Sequence, residues 1–250
     1  MKFNNLPRRL ATKLGSIRLV DRRKLYALWE AEHLRHLLPF CAVDCVFDVG
    51  ANTGQYGEML RRKARFTGLI ISFEPNPEAA AQARRRSSGD SKWIVEESAL
   101  SSADGTQSFN VMREPQFSSF SSPRASKDLA MFAEKNVVER SIEVRTETLT
   151  SAYDRLQAKH GFSRPFLKMD TQGFDTTIVR HAGPALQRFV GLQSELAVRR
   201  LYSDSVDFRE ALSLYESLGF ELSAFAPNNE GHFPHLMEID CIMVRRDSST

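Results

Sequence analysis

Short apolar runs alternate with segments of helical pattern along most of the chain, from Cys41 onward. This alternation is typical of a parallel β-sheet with helices packed on its faces. We therefore predict an α/β fold with a doubly wound, mostly parallel sheet, whose last two strands form an antiparallel pair at one edge. The predicted strands are residues 43–49, 68–73, 93–95, 165–170, 189–196, 220–225 and 238–244.

Helical segments lie between these apolar runs. We predict helices over residues 58–65, 77–86, 150–159 and 206–218, with Pro77 in the first turn of the second one. Residues 101–145 are predicted to be an insertion that begins with a hairpin around Ala103-Asp104-Gly105. A loop that contains Ser and Pro follows at residues 114–127, and loops of this kind often cover a site.

The size and composition fit one soluble catalytic unit. The 250 residues are 42% hydrophobic and 26% charged, as in ordinary globular domains. No apolar stretch approaches the roughly 20 residues that span a bilayer, so we predict a cytoplasmic protein. The three cysteines, Cys41, Cys45 and Cys241, are too few for a disulfide framework and are expected to be reduced thiols.

The first 40 residues are more basic than the rest of the chain. They hold nine Lys or Arg against three Asp or Glu, a balance of +6 against +3 for the whole chain. Apolar residues recur there at helical intervals over residues 6–17, so we predict a basic helical extension at 1–40 and a catalytic domain at 41–250. A helix docked on the domain is favoured over weak contact with an anionic membrane surface. The lack of interleaved stacking aromatics disfavours nucleic acid as a partner.

The most informative stretch is residues 47–57, where the first predicted strand turns into a helix. Gly50 and Gly54 remove side chains from this turn, which allows a flat, nucleotide-like ligand to approach the backbone. A glycine turn that serves only tight packing is the alternative. Because ligands of open α/β sheets bind at the carboxyl ends of the strands, we predict a cofactor site at this turn.

An acidic residue, Glu74, follows the second predicted strand about twenty residues after Gly54. A carboxylate in this position can accept hydrogen bonds from both hydroxyls of a ribose. The dinucleotide pattern Gly-x-Gly-x-x-Gly would have Asn52 at its second glycine, which disfavours pyrophosphate. S-adenosylmethionine has no phosphate and carries positive charge, which suits Asp48 and the polar Asn52 and Gln55. We therefore predict S-adenosylmethionine as the cofactor.

Four segments together resemble the FkbM-type methyltransferases: residues 46–57, 71–77, 98–100 and 167–173. The resemblance extends from about residue 41 to residue 244. It implies a class I methyltransferase fold, S-adenosylmethionine as the donor, and a hydroxyl acceptor on a sugar or polyketide-like natural product. The cofactor-binding residues that we predict are Asp48, Gly50, Asn52 and Gly54 for the methionyl part, Glu74 for the ribose, Ser98 and Ala99 for the adenine, and Gln55, Pro75 and Asn76 beside them.

Three polar residues at the ends of later predicted strands are the candidates for catalysis. Asp170 and Glu195 are candidate bases for the hydroxyl proton of the acceptor, and Lys168 is a candidate for steering one of them or stabilising the alkoxide. A helix cap or an ion pair with Lys168 is the alternative role for Asp170. FkbM-type proteins commonly have an acidic residue where this chain has Gln172, and a neutral amide cannot act as a base.

Other polar residues give weaker signals. These are Ser118, Ser119 and Phe120 for contact with cofactor or acceptor or for a flexible lid, Arg199 and Tyr202 for the acceptor, and His232 or His235 as a base or as ordinary loop histidines. We predict no metal site, which would require Asp170 and Glu195 to converge with a third oxygen ligand.

The sequence therefore predicts an O-methyltransferase for a hydroxyl group of a glycan or natural product. Two alternatives stay open: a nicotinamide-dependent oxidoreductase, and a catalytically silent module that binds the cofactor. The first is opposed by Asn52 and by the lack of a Tyr-x-x-x-Lys pair of the short-chain dehydrogenase kind. The second is favoured only by Gln172.

Overall fold

The computed structural model describes residues 26–114, 117–121, 137–200, 206–227 and 235–246. The helices in these ranges are α1 (Tyr26–Phe40), α2 (Gln55–Arg62), α3 (Pro77–Ser87), α4 (Leu149–His160), α5 (Asp175–Arg180), a 3-10 helix (Gly183–Arg188) and α6 (Phe208–Ser217). The strands are β1 (Cys45–Val49), β2 (Leu69–Phe73), β3 (Trp93–Glu96), β4 (Ala99–Leu100), β5 (Gly105–Met112), β6 (Val138–Glu147), β7 (Pro165–Met169), β8 (Gly191–Ala197), β9 (Phe220–Ala226) and β10 (Glu238–Arg245).

Seven strands form the main sheet, in the order β3-β2-β1-β7-β8-β10-β9. The strands from β3 to β8 pair in parallel, whereas β10 runs antiparallel to both β8 and β9. The chain winds outward from β1 in both directions, which is the doubly wound arrangement. The predicted α/β sheet, mostly parallel with an antiparallel pair at one edge, is confirmed.

The central strands are buried on both faces, as parallel strands covered by helices require. Every residue of β1 and of β7 is buried. On one face Phe47 packs edge-on against Phe189, with ring centres 5.3 Å apart. On the other face Val46 belongs to a cluster with Leu34 and Leu38 of α1. This packing fixes the ends of β1 and β7, from which the candidate site is built.

The segment after β4 forms a small second sheet, with the order β4-β6-β5. β4 runs parallel to β6, and β5 runs antiparallel to β6. The predicted hairpin at Ala103-Asp104-Gly105 is therefore wrong, because the strands on either side of this turn are not neighbours. The turn is held instead by later residues: Thr146 donates its hydroxyl hydrogen to the Ala103 carbonyl over 3.0 Å, and Asp104 accepts the Thr148 N–H over 2.6 Å.

α1 packs against α2 and the edge of the main sheet. Leu34 and Leu38 are buried, and the indole N–H of Trp29 donates to the Phe225 carbonyl of β9 over 3.1 Å. Residues 1–25, with the predicted apolar repeat at 6–17, lie outside the described residues, so the extension and its boundary at residue 40 stay predictions. No helix in the described ranges has the length and apolar character needed to cross a membrane.

The three cysteines are buried and have free thiols. Burial raises the pKa of Cys41, Cys45 and Cys241, so the thiols are protonated at neutral pH. Thiols of this kind behave as inert core groups rather than as nucleophiles.

Candidate active site

The turn after β1 is held against the neighbouring strand ends by backbone hydrogen bonds. The N–H groups of Gly50 and Ala51 donate to the Phe73 carbonyl over 3.1 and 3.0 Å, and the Asp170 N–H donates to the Val49 carbonyl over 3.0 Å. Gly50 has a φ of +77°, and a Cβ there would collide with the Asp170 carbonyl oxygen. Glycine at this position therefore brings the ends of β1 and β7 close together.

The rest of the turn has two further residues in the left-handed region. Asn52 has a φ of +48°, and Gly54, which begins α2, has a φ of +86°. A Cβ at Gly54 would lie 3.2 Å from the ring of Trp93, and one at Gly57 would collide with that ring. These two glycines thus make room for the indole, and the side chain of Gln55 points to the exposed surface of α2.

A cleft of about 520 Å³ lies at the carboxyl ends of β1, β2 and β7. The second sheet forms its outer wall. The predicted cofactor-binding residues that line the cleft are Gly50, Asn52, Glu74, Pro75 and Ala99, and the predicted catalytic residue that lines it is Asp170. Asp48, Gly54, Gln55, Asn76, Ser98, Lys168 and Glu195 lie outside its lining.

Glu74 is a buried carboxylate of the cleft. Its Oε2 accepts the Asn52 N–H over 2.7 Å, and its Oε1 accepts the Asn76 N–H over 2.9 Å. Burial raises the pKa of Glu74 to about 7, although these two hydrogen bonds act to lower it. Each carboxylate oxygen has a second acceptor position. Glu74 can therefore also accept hydrogen bonds from the hydroxyl groups of a ligand.

The segment after β3 completes one side of the cleft. Ala99 lines it, and the neighbouring Ser98 is buried. The Ser98 hydroxyl has no hydrogen-bond partner in the part of the chain that the structure describes. A buried hydroxyl without a partner is unusual in a protein, although Ser98 itself does not line the cleft. Asn76 has another role, since its side chain accepts the Glu78 N–H as the cap of α3.

Residues 117–121 fasten the outer wall to the turn after β7. Asn110 of β5 and Ser119 exchange two backbone hydrogen bonds of 3.1 Å. The Ser119 hydroxyl donates to the Gln172 carbonyl over 3.1 Å. The rings of Phe120 and Phe109 meet edge-on at 5.1 Å, and both line the cleft together with Ser118. The segment predicted to contact cofactor or acceptor is thus part of the cleft wall.

Asp170 lies at the mouth of the cleft, directly after β7. Its side chain is 41% exposed, and its Oδ2 lies 3.6 Å from the Nζ of Lys168. Its Oδ1 accepts a hydrogen bond of 3.1 Å from the side-chain amide of Gln172. The same amide donates to Oε2 of Glu195 over 3.0 Å. Because Glu195 does not line the cleft, Asp170 is the candidate base that a molecule in the cleft can reach.

A row of buried polar side chains crosses the main sheet behind the cleft, and we call it the polar ladder. Its members are Ser72, Asp48, Lys168 and Gln193, which occupy paired positions on adjacent strands. The Trp93 indole N–H donates to the Ser72 hydroxyl over 3.0 Å, and Ser72 donates to Asp48 over 2.9 Å. The other oxygen of Asp48 lies 3.3 Å from Lys168 Nζ. Asp48 is thus balanced by Lys168 inside the protein.

The polar ladder reaches α1 through Gln193. The Tyr56 hydroxyl donates to Gln193 Oε1 over 2.9 Å. The side-chain amide of Gln193 donates to Glu30 over 2.7 Å and to Asp240 over 2.8 Å. Lys168 Nζ lies 5.0 Å from the centre of the Tyr56 ring. Helix α1 therefore supplies a carboxylate to the network around Lys168.

Carboxylates outnumber cations around Lys168 and Gln193, and the surroundings of most of these carboxylates favour the neutral, protonated form. Burial raises the pKa of Glu195, and the charges of Glu238 and other acidic neighbours raise it further. Burial also raises the pKa of Glu30 and Asp240, and it raises the pKa of Glu238 to about 7. The described residues contain no group of three His, Cys, Asp or Glu placed to hold a metal ion.

Lys168 is the cation at the centre of these carboxylates. Burial acts to lower its pKa, but the charges of Asp170 and Asp48 raise the pKa above its usual value. The ammonium group is therefore charged at every physiological pH. Its distances to Asp170 and Asp48 fit a role in steering Asp170, because Lys168 itself is not part of the cleft lining.

Sequence reasoning missed two residues that shape the turn after β7. The sequence indicates Gln172 only as a lost base, whereas its amide donates to two carboxylates. The buried carboxylate of Asp175 accepts the Thr171 N–H over 3.0 Å, the Thr171 hydroxyl, and the Ser194 hydroxyl over 2.7 Å. An acidic residue in the first turn of a helix, two positions after Gly173, is the pattern that could have indicated Asp175.

The remaining predicted residues lie away from the cleft or outside the described ranges. The Arg199 N–H donates to the Met237 carbonyl over 3.0 Å, and His235 is exposed. Neither residue lines the cleft. Tyr202 and His232 lie outside the described residues, so their roles stay predictions.

Comparison with known proteins gives one strong match. The family model described as the methyltransferase FkbM domain matches residues 48–222, which is more than half of the chain. No curated protein matches the sequence. Among solved structures, magnesium protoporphyrin IX methyltransferase from Synechocystis PCC 6803 is 9% identical, with 97% of this chain and 93% of that chain covered and a TM-score of 0.47. Fibrillarin from Aeropyrum pernix is 11% identical, with 86% and 74% covered and a TM-score of 0.47.

Proposed function

The chain belongs to the FkbM methyltransferase family, and we propose that it transfers the methyl group of S-adenosylmethionine to a hydroxyl group of a sugar, glycan or other natural product. The observation that carries this proposal is the cleft at the strand ends with Glu74 in its lining. The cleft includes the turn after β1, which lies within the segment matched by the family model.

The residues of the cleft fit S-adenosylmethionine. Glu74 has acceptor positions left for the two ribose hydroxyls. The apolar side chains of Pro75 and Leu100 suit the flat face of an adenine. When bound, S-adenosylmethionine supplies a methyl group on a positively charged sulfur, which makes that methyl group open to attack by an oxygen nucleophile.

Asp170 is the residue that we propose as the base. It lines the mouth of the cleft, and its half-exposed carboxylate is open to an acceptor there. Removal of the hydroxyl proton by such a group typically contributes a factor of about 10² to 10⁴. Lys168 and Gln172 hold the two oxygens of Asp170 from behind. Glu195 acts through Gln172 rather than by contact with the acceptor.

A nicotinamide-dependent oxidoreductase is the less supported alternative. Dinucleotide-binding turns present backbone N–H groups to pyrophosphate. In this chain the Asn52 N–H already donates to the carboxylate of Glu74. A negative charge at that place repels a phosphate group. The turn is therefore better suited to a cofactor without phosphate.

The first test is calorimetric titration of the purified protein with S-adenosylhomocysteine, the product of the reaction, and separately with NADH. We expect micromolar affinity for adenosylhomocysteine and at least a tenfold loss of affinity in Glu74→Gln. Glu97→Gln is the matched control, because this exposed carboxylate pairs with Arg84 outside the cleft. Tight binding of NADH, or none of adenosylhomocysteine, contradicts the proposal.

The second test distinguishes a working enzyme from a silent binding module. A panel of sugars, glycans and polyketide-like alcohols is incubated with the protein and a labelled methyl donor. We expect label in a hydroxyl-bearing compound and at least a tenfold lower rate in Asp170→Asn, with the affinity for adenosylhomocysteine unchanged. Cofactor binding without transfer to any hydroxyl compound would support the silent module.

A further inference from the structure

Gln172 connects the two candidate bases. Its Nε2 lies 3.1 Å from Oδ1 of Asp170 and 3.0 Å from Oε2 of Glu195. A side-chain amide has two hydrogens to donate, so one group serves both carboxylates. We infer that Gln172 is a positioning residue that holds Asp170 at the mouth of the cleft by tying it to Glu195.

The backbone of Gln172 fixes the direction from which its amide approaches. The residue is buried, with 9% of its surface exposed, and has a φ of +54°. Its carbonyl accepts the Ser119 hydroxyl over 3.1 Å, which ties the turn to the cleft wall. Next along the chain, Gly173 has a φ of +88°. The amide is thus held at the backbone and at both of its acceptors.

The charges around this pair explain why a neutral donor suits the position. The charged groups that act on Asp170 or Glu195 come from four elements: Lys168 of β7, Asp175 of α5, Glu238 and Asp240 of β10, and Glu30 of α1. All of these except Lys168 are acidic. An amide supplies two hydrogen-bond donors without adding charge, whereas a carboxylate would add a further negative charge.

Glutamate is the informative substitution because it has nearly the same shape. In Gln172→Glu a carboxylate oxygen replaces the donating nitrogen, about 3 Å from two other carboxylates. Like charges at that distance cannot all be ionised, so the group must take up a proton. The added group also no longer donates to Asp170, which therefore loses the partner that directs it.

The first test examines the two hydrogen bonds of the Gln172 amide and needs no methyl acceptor. The side-chain amide signals of Gln172 are identified in nitrogen-15 NMR spectra by their loss in Gln172→Met. We expect both amide hydrogens to exchange slowly with water, and one signal to move in Asp170→Asn and the other in Glu195→Gln. Amide signals whose chemical shifts stay the same in both variants would overturn the inference, whatever reaction the protein catalyses. Methionine and glutamate are chosen because unbranched side chains tolerate a positive φ better than β-branched ones.

The second test rests on the proposed methyl transfer and measures its pH dependence. We expect Gln172→Met to lower kcat at least tenfold, with the affinity for adenosylhomocysteine within twofold of the original. In Gln172→Glu the acidic limb of the pH–rate profile should move upward by about one pH unit, as expected when a carboxylate is added beside two others. A profile that keeps its position in Gln172→Glu would contradict a positioning role.

The control is Gln107→Met, which removes another amide that takes part in a hydrogen bond. Gln107 lies on β5, its Oε1 accepts the Ser101 hydroxyl over 2.8 Å, and it does not line the cleft. We expect its kcat and pH profile to match those of the unmodified protein. An equal loss of kcat in Gln107→Met and Gln172→Met would mean that the loss does not come from the contacts of Gln172, and it would overturn the inference. Failure of adenosylhomocysteine to bind would instead count against the proposed function. The NMR result would still decide whether Gln172 ties Asp170 to Glu195.

Discussion

Glu74 is the single residue at which the pH dependence of cofactor binding should arise. Its pKa of about 7 follows from burial, so the carboxylate is mostly protonated at pH 6 and mostly ionised at pH 8. Ribose hydroxyls donate to the ionised form, so the affinity for adenosylhomocysteine should rise about tenfold between these two pH values. Calorimetric titrations at both pH values measure the effect.

Glu74→Gln provides the check on this expectation. The variant cannot ionise at position 74, so its weaker affinity should be nearly the same at pH 6 and pH 8. Glu97→Gln should keep the full dependence, because Glu97 pairs with Arg84 away from the cleft. An unmodified protein with equal affinities at the two pH values would exclude Glu74 as the group that controls binding.

The sequence allowed prediction of those site residues that depend on local chain geometry. Gly50 and Glu74 follow directly after strands, and the strand pattern alone indicates where they lie. The partners of Asp48 and Gln172 could not be predicted in this way. Lys168 reaches Asp48 only because β1 and β7 pair in register, and Glu195 reaches Gln172 from the next strand. A single sequence does not contain the register of strands more than a hundred residues apart.

At the scale of elements, one hydroxyl group joins the wall segment 117–121 to the turn after β7. Ser119 donates to the Gln172 carbonyl and accepts the Ser121 N–H over 3.0 Å. Ser119→Ala leaves both buried groups without this partner, so we expect a loss of about 1–3 kcal/mol in the free energy of unfolding. Denaturant unfolding measures this value, and the affinity for adenosylhomocysteine should fall as well.

Ser141→Ala is the matched substitution for this experiment. Ser141 lies on β6 of the same small sheet, but its hydroxyl bonds to Asn110 at the exposed surface. We expect its unfolding free energy to stay within about 0.5 kcal/mol of the original. A similar loss in both variants would show that the contact of Ser119 with the turn has no special importance.

Helix starts could be predicted where a capping residue or a first-turn proline marks them. α3 begins as predicted at Pro77, with Asn76 as its cap, and α4 begins after the capping Thr148. The small second sheet could not be predicted, because β4 pairs with β6 rather than with the strand that follows it. Its pairing is decided by contacts with residues some forty positions later, such as Thr146 with Ala103.

For the whole molecule, we expect stability to fall as the pH rises through neutrality. Glu74 and Glu238 have pKa values of about 7 in the folded protein and ordinary values of 4.5. A raised pKa means that the folded state binds more protons than the unfolded state between these values. The stabilisation is therefore complete below pH 4.5 and is lost as the pH rises through 7.

Denaturant unfolding at pH 5 and pH 8 tests this expectation. The unfolding free energy should be greater at pH 5 by at least about 2 kcal/mol for the two groups together. Glu238→Gln should reduce that difference, because glutamine does not titrate. A protein that is more stable at pH 8 than at pH 5 would show that other groups dominate its titration.

The overall architecture was the most predictable level. Alternating apolar runs and helices indicate a doubly wound sheet, because few other arrangements bury so many strands that are apolar on both faces. The place of β10 between β8 and β9 is the part that required the structure, since the sequence indicated only that the last two strands pair.

The position of Trp93 provides the protein with its own optical signal. The chain has two tryptophans. Trp29 is 56% exposed, whereas Trp93 is 7% exposed and packs on Gly54 and Gly57 of the turn after β1. A shielded indole fluoresces at shorter wavelengths than one in water. With Trp29 replaced by Phe, the wavelength and intensity of the Trp93 emission would report changes in the turn after β1 when a ligand binds. No attached dye would be needed.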